Sequence, residues 1–396
     1  MGPLEGVRVL ELGQLIAGPF CGQYLADFGA TVVKVEPPGK GDPMRQWGST
    51  DENGNTVWWP VIARNKKSIT LDLRKSEGQA VAKQLAAKAD ILIENFRPGT
   101  MERWGLGWEA LQEINPKLIM VRITGFGQTG PYASRAGYAS VCEAMGGMRY
   151  IAGHPDRPPV RMGISIGDTL AGMHGAMGAM MAMHERNQSG RGQMIDSAIY
   201  ESVMTVMESL IPEYEKTGRI RERSGSRLDG IAPSNAYPCA DGRDVIIGAN
   251  QDTVFRRLCE AVGKPELAED ERFSNHQSRG RHQEILDNTI AEWTQQNSAD
   301  AVVEAMVAAG VPAGHVYRAP EMLADEHIQA RESVVWLDDP QLGKMPMQNV
   351  FPQLSRSPGK VEHTGPALGE HTDLILKEWT DLDAQGINTL RTEGVI

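Results

Sequence analysis

Short apolar runs alternate with helical stretches through the first third of the chain, and no other feature restricts the fold as much. Residues 7–12 read as a strand. Residues 18–28 read as a helix, with Phe20, Tyr24, Leu25 and Phe28 at helical spacing, and 30–36 as a second strand. A weaker strand at 68–73, an Ala- and Lys-rich helix at 79–89 and strands at 91–94 and 118–124 (LIMVRIT) follow. Strands separated by helices of this size predict βαβ units and a mostly parallel sheet, with ligands near the strand ends.

After Gly125 the pattern changes. Gly and Pro punctuate residues 125–159, and a small-residue helix is expected over 169–185 (TLAGMHGAMGAMMAMHE). A strand-like 193–196 and a helix over 197–210 follow, then a strongly charged stretch at 215–226. A second unit spans 232–317, with a strand at 245–248 and helices at 253–262, 283–295 and 299–309. Beyond His327 the chain looks β-like and ends in a short helix at 372–379. A chain of 396 residues exceeds one simple core. The expected division is a large domain over 1–212, a linker over 213–231, a small domain over 232–325 and a return to the large domain over 326–396.

A formal net charge of −11 argues against general nucleic-acid or anionic-membrane binding, so an anionic ligand needs locally placed cations. Cys21, Cys142, Cys239 and Cys259 are scattered, which predicts neither a disulfide framework nor a zinc site and fits a reducing cytoplasm. His174 and His184 lie ten residues apart, which is not metal spacing, and no metal is expected. The start, MGPLEGVRVLELG, has no secretory-leader pattern, and no run is long and apolar enough for a membrane helix.

There is no P-loop, H-E-x-x-H or G-x-S-x-G motif. The segment Gly125-Phe126-Gly127-Gln128-Thr129-Gly130 matches G-x-G-x-x-G after a strand, but the Rossmann version needs its third Gly inside a helix start, and here Pro131 follows at once with Gly137 soon after. It reads as a loop, not an NAD site. Gly105-Leu106-Gly107-Trp108-Glu109-Ala110 reads as a helix–turn feature.

Gly172, Gly175 and Gly178 recur inside one expected helix, although each weakens it by roughly 1 kcal/mol relative to Ala. Such a helix lets another backbone or a ligand approach closely. Asp168 stands just before it, where a carboxylate either caps the helix or is held open at its mouth. Asn65-Lys66-Lys67, Asn95-Phe96-Arg97 and Arg103 form a polar, basic group near expected strand ends, suited to a solvated rim or to a phosphate-bearing ligand.

Several segments together resemble the class III CoA-transferases, the family of formyl-CoA transferase and carnitine CoA-transferase. They include PLEGVRVLEL, AGPFCGQYLADFGATVVKVEPPGKGD, RNKKSITLDL, ENFRPGTMERWGL, ITGFGQTGP, the Gly167-Asp168 pair, GRGQMIDSAIYES and LGEHTDLILKE. The resemblance implies an α/β fold: a Rossmann-like large domain with a parallel sheet and a smaller α+β domain, in an interlocked homodimer. It implies coenzyme A and its acyl thioesters as substrates, a small carboxylic acid as acceptor, and no permanently bound cofactor. Asp168 matches the family's nucleophile. Leu15, Ile16, Ala17, Leu71, Arg74, Asn95, Phe96, Arg103 and Tyr138 match positions that contact the CoA thioester.

The sequence departs from formyl-CoA transferase at Pro37, where a basic residue is expected, and at Ala136, where Arg135 stands beside a lost Lys. It departs again at Ala139, where a Glu is expected, and in a glycine run of which Gly225 and Gly230 remain. These departures argue against oxalate or formyl-CoA. The expected reaction forms an aspartyl acyl-anhydride and then an aspartyl-CoA thioester, with oxyanions stabilised by N–H groups near residues 167–169 or from a small-domain loop. Alternatives are a 2-methylacyl-CoA racemase of the same fold, disfavoured because Gly137-Tyr138-Ala139 lacks that enzyme's His, and a non-catalytic CoA-binding subunit. Arg135, Arg161, Arg221, Arg223 and Arg227 are candidates to meet a second carboxylate, which points to donors such as succinyl-CoA.

Overall fold

The alternating segments form a six-stranded sheet in the structure, a computed structural model that describes residues 2–396. Strands β1 (Arg8–Glu11), β2 (Thr31–Glu36), β3 (Lys66–Thr70), β4 (Ile91–Glu94), β5 (Ile119–Thr124) and β6 (Met194–Ala198) lie in the order β3-β2-β1-β4-β5-β6. Every pairing is parallel. The order reverses between β1 and β4, which opens a crevice at the carboxyl ends of those strands.

Successive strand residues point to opposite faces, so the apolar runs feed two cores. Leu10, Val33 and Leu92 pack with helix Ser76–Lys88 and the C-terminal helices Thr372–Trp379 and Ala384–Thr392. Val9, Val32, Ile91 and Ile93 pack with helices Ala17–Asp27 and Ile166–Ser189. The helical glycines permit this second layer. A Cβ on Gly172 would stand 2.8 Å from the Ala17 carbonyl oxygen, and one on Gly178 would stand 3.0 Å from Ile195.

The chain divides into two compact units, one comprising Met1–Arg149, Arg161–Leu210 and His327–Ile396, the other Tyr150–Val160 and Ile211–Glu326. The second unit has an antiparallel sheet of β7 (Ser234–Pro238), β8 (Asp244–Gly248) and β9 (Ala313–His315), backed by helices Asp252–Ala261, Gln283–Thr294 and Ala299–Ala308. Fully buried Arg279 pins its loops, donating to the carbonyls of Ala232, Phe273 and Asn250.

Several boundaries differ from expectation. The small-residue helix begins at Ile166, three residues earlier than its apolar pattern indicates, so Asp168 lies in the first turn and is not its cap. The charged stretch after 212 is partly helical (Leu210–Thr217). The β-like C-terminal segment is a hairpin of β10 (Val334–Asp339) and β11 (Gly343–Gln348). Among the described residues, no helix is long and apolar enough to cross a membrane.

Candidate active site

The loop that leaves β1 forms one wall of the crevice, and a buried charge network fixes its shape. Lys34 and Lys66, each 1% exposed, flank fully buried Glu11 at 3.3 and 2.8 Å, and Lys34 also pairs with Asp42 at 2.7 Å. These groups grip the loop backbone. Lys34 donates to the Gly13 carbonyl, Lys66 donates to the Pro19 carbonyl at 2.6 Å, and Asp42 accepts from the Leu15 N–H at 3.1 Å. Leu15 has a φ of +65°, a left-handed conformation that costs about 1–3 kcal/mol outside glycine and persists only when its surroundings enforce it. Burial pulls both ammonium pKa values down. At Lys34 the carboxylates of Asp42, Glu11 and Glu36 reverse the effect and leave it raised, whereas Lys66, repelled by Lys34, stays lowered.

Asp168 sits on a cavity of about 300 Å³ lined also by Leu15, Ile16, Ala17, Asn95, Tyr138 and Arg161. No hydrogen bond or ion pair engages its carboxylate among the described residues. Burial, and then the charge of Glu143, push its pKa up to about 6, and Arg161 opposes them. Glu143 is almost fully buried; its Oε2 accepts from Arg149 at 2.9 Å and its Oε1 from the Gly167 N–H at 3.3 Å. Asp168 is therefore ionised at neutral pH yet little solvated, which favours nucleophilic attack. Cys142 is no rival: burial, and then Asp168 and Glu143, push its thiol up to about 11.

A second cavity, of about 670 Å³, lies beyond the switch point and is lined by Gln14, Pro37, Lys40, Leu71, Arg74, Phe96 and Trp104 among others. Between the two cavities Asn95 and Gln14 clip β4 to β1: Gln14 N–H donates to Asn95 Oδ1 at 2.8 Å, and Asn95 Nδ2 donates back to the Gln14 carbonyl at 2.7 Å. Phe96 meets Trp104 edge-on at 5.1 Å, giving the larger cavity an aromatic wall. Arg74 is exposed and forked onto Asp72, with both contacts at 2.8 Å.

The structure thus gathers Leu15, Ile16, Ala17, Asn95, Tyr138 and Asp168 at one cavity and Leu71, Arg74 and Phe96 at the other. Arg103 lines neither; it is exposed and donates to Thr100 Oγ1 at 2.9 Å. The expected oxyanion donors are partly occupied, Gly167 N–H by Glu143 and Thr169 N–H by the Ser165 carbonyl at 3.1 Å. The Gly125–Gly130 segment is a loop with no helix start. Sequence reasoning missed Glu143 and Asp42. Glu143 lies four residues after Ala139 on helix Ala139–Met145, so helical spacing was the signal that the carboxylate absent at 139 recurs one turn later.

Comparison with known proteins gives a consistent picture. The description CoA-transferase family III matches residues 4–372. The chain is 58% identical over 394 residues to a succinyl-CoA–D-citramalate CoA-transferase from Chloroflexus aurantiacus, covering 100% of this chain and 98% of the relative. It is 42% identical over 397 residues to the beta subunit of a succinyl-CoA–L-malate CoA-transferase from the same organism, covering 100% and 98%. A crystal structure of a CaiB/BaiF family protein from Brucella suis superposes with a TM-score of 0.84 at 35% identity, covering 96% of this chain and 99% of that one.

Proposed function

The chain belongs to CoA-transferase family III, and on that premise we propose that it moves coenzyme A from succinyl-CoA to a free dicarboxylic acid, with Asp168 as the covalent relay. The acceptor is of the citramalate or malate type, as the names of its relatives suggest. The observation that carries the reading is Asp168 itself: an unpaired, largely buried carboxylate on a cavity at the carboxyl edge of a parallel sheet.

Asp168 attacks the thioester carbonyl, the C–S bond breaks, and CoA thiolate leaves a mixed succinyl-aspartyl anhydride. The thiolate then attacks the aspartyl carbonyl, expelling succinate and forming an aspartyl-CoA thioester. The acceptor carboxylate attacks that thioester, giving a second anhydride and thiolate again. Attack of the thiolate on the acceptor's acyl carbon forms the new thioester and regenerates Asp168. Each step exchanges one activated acyl bond for another, so no ATP is consumed. The larger cavity takes the nucleotide end of CoA, with Leu71 and Phe96 against the adenine and pantetheine and Arg74 and Lys40 beside the phosphates. The clip between Gln14 and Asn95 marks the passage of the pantetheine arm.

The enzyme works as a homodimer in the cytoplasm. The exposed stripe Met173, Met177 and Met181 on the small-residue helix and the four free, buried cysteines support this. Mass spectrometry after incubation with succinyl-CoA and borohydride is the test. A reduced Asp168 side chain is expected in the wild type, together with exchange of labelled succinate into succinyl-CoA. Both are lost in Asp168→Asn; exchange that survives in this variant overturns the reading.

A further inference from the structure

A transferase that takes CoA from the thioester of one dicarboxylic acid and gives it to another dicarboxylic acid must recognise a carboxylate that does not react. Five arginines are candidates from sequence, and the structure separates them. Arg135 stacks on Tyr132, its guanidinium carbon 3.5 Å from the ring centroid. Arg221 pairs with Glu213 at 2.8 Å. Arg223 donates to the carbonyls of Tyr150 and His154. Arg227 lies near Asp287, whose pKa it lowers against burial. Those last three belong to the second unit, with partners in that unit.

Arg161 differs. It lines the Asp168 cavity and is the one cationic side chain among the described residues that do so. Its guanidinium makes no ion pair among the described residues, and the only hydrogen bond it gives is a long one, 3.4 Å, to Ser165 Oγ. Ser165 caps the helix whose first turn holds Asp168, and its carbonyl accepts from both the N–H and the hydroxyl of Thr169. The guanidinium is exposed, lies beside the segment that carries Asp168, and keeps its donors free for a ligand. Most of the other lining residues are apolar or bear neutral side chains, among them Ile16, Ala17, Ile123, Ala139 and Ile199. In such a cavity a second ligand carboxylate finds one charge partner, with a planar fork suited to two parallel hydrogen bonds.

We propose that Arg161 is the specificity residue that binds the non-reacting carboxylate of the dicarboxylic acyl chain. The inference rests on the reading of Asp168 as the covalent relay. Because succinate leaves before the acceptor enters the same cavity, one guanidinium serves donor and acceptor in turn. An acyl chain ending in a methyl group leaves Arg161 without that partner, so discrimination falls on the terminal group and not on chain length.

The test compares succinyl-CoA with butyryl-CoA as donors, and succinate with butyrate as acceptors, in wild type, Arg161→Gln and Arg161→Lys. The kcat/KM ratio of dicarboxylic over monocarboxylic substrate is expected to fall roughly 10- to 100-fold in Arg161→Gln, the loss of a charge-assisted hydrogen bond pair. Arg161→Lys, which keeps the charge without the fork, is expected to restore part of the ratio. Borohydride trapping at Asp168 is run on the same samples. Trapped Asp168 with an unchanged ratio in Arg161→Gln overturns this inference alone. Absence of any trapped species in the wild type overturns the covalent reading and this inference with it. A purely structural role for Arg161 would lower both substrates together and leave the ratio where it was.

Discussion

The two cavities at the carboxyl edge of the sheet are built from different materials. The smaller, around Asp168, is walled by backbone that buried charges hold in place, and the Asp168 carboxylate is kept poorly solvated by its neighbours. The larger is walled by loop prolines, an aromatic pair and cations that already have solvent or a neighbouring carboxylate as partner. Chemistry needs atoms fixed within a fraction of an ångström, and binding a long, flexible nucleotide does not. Substitutions around the first cavity should therefore act on turnover or folding, and those around the second on affinity.

Asp168→Asn gives the largest expected effect: if Asp168 is the covalent relay proposed above, transfer falls by at least about three orders of magnitude. The same variant should be slightly more stable. Because the folded pKa of Asp168 is raised to about 6 from 3.8, the native state holds the proton more tightly than the unfolded chain. Stability is then lost as pH rises through that window, and at neutral pH the ionised form disfavours folding. Removing the charge lifts this penalty, and calorimetry at pH 7.5 should show Tm rising by on the order of 1–2 °C. A fall in Tm would mean that the carboxylate has an unrecognised partner.

Asp42→Ala comes next. It strips Lys34 of its 2.7 Å partner and leaves the Leu15 N–H without an acceptor, with Lys34 and Asp42 both 1% exposed. Breaking a buried pair by removing one member costs about 3–5 kcal/mol. Chemical denaturation should show that loss. If the protein stays folded, release of the strained Leu15 should lower kcat more than it raises KM for acyl-CoA.

How far the sequence reveals these two regions follows from the range of the interactions. The strands and their mostly parallel arrangement were legible because apolar runs such as 30–36 carry β-branched content and alternate with helical stretches. The place of Asp168 beside a glycine-bearing helix was legible, and the structure supplies the reason for the glycines, the Ala17 carbonyl beside Gly172. The start of that helix was misplaced because Ser165 caps it with no side-chain hydrogen bond and no apolar repeat marks its first turn. Lys34 gave no signal at all: a lysine in the middle of TVVKVE reads as an exposed strand residue, and its partners Glu11 and Asp42 come from other segments. The strand Ser234–Pro238 escaped notice because it is short and carries Asn and Pro. Glu143 left only the helical spacing from Ala139 as a trace, since its contacts are with Arg149 and with backbone 24 residues away.

That hidden carboxylate sharpens the comparison through pH. The rate of transfer should fall as pH drops through about 6, when Asp168 takes up its proton. The charged groups that face Asp168 are Glu143, which raises its pKa, and Arg161, which lowers it, with Cys142 protonated beside it. Glu143→Gln keeps an acceptor for Gly167 N–H and Arg149 loses its counter-charge. The acid limb of the kcat/KM profile should move to lower pH. A limb that stays in place while kcat falls at every pH would assign Glu143 a structural role only.

Arg74→Ala should have the smallest effect, and it tests the other half of the contrast. The guanidinium is exposed and already forked onto Asp72, so a phosphate must compete with an existing carboxylate for its donors. Exposed ion pairs contribute little, and exchanging one anion for another contributes no more. The expected outcome is a KM for succinyl-CoA raised by roughly two- to fivefold, with kcat unchanged because the contact is equal in ground and transition states. Higher salt should shrink the difference between variant and wild type. A drop in kcat without a change in KM would show that Arg74 positions the thioester through the pantetheine arm, and the division of labour between the two cavities would then fail at its most exposed point.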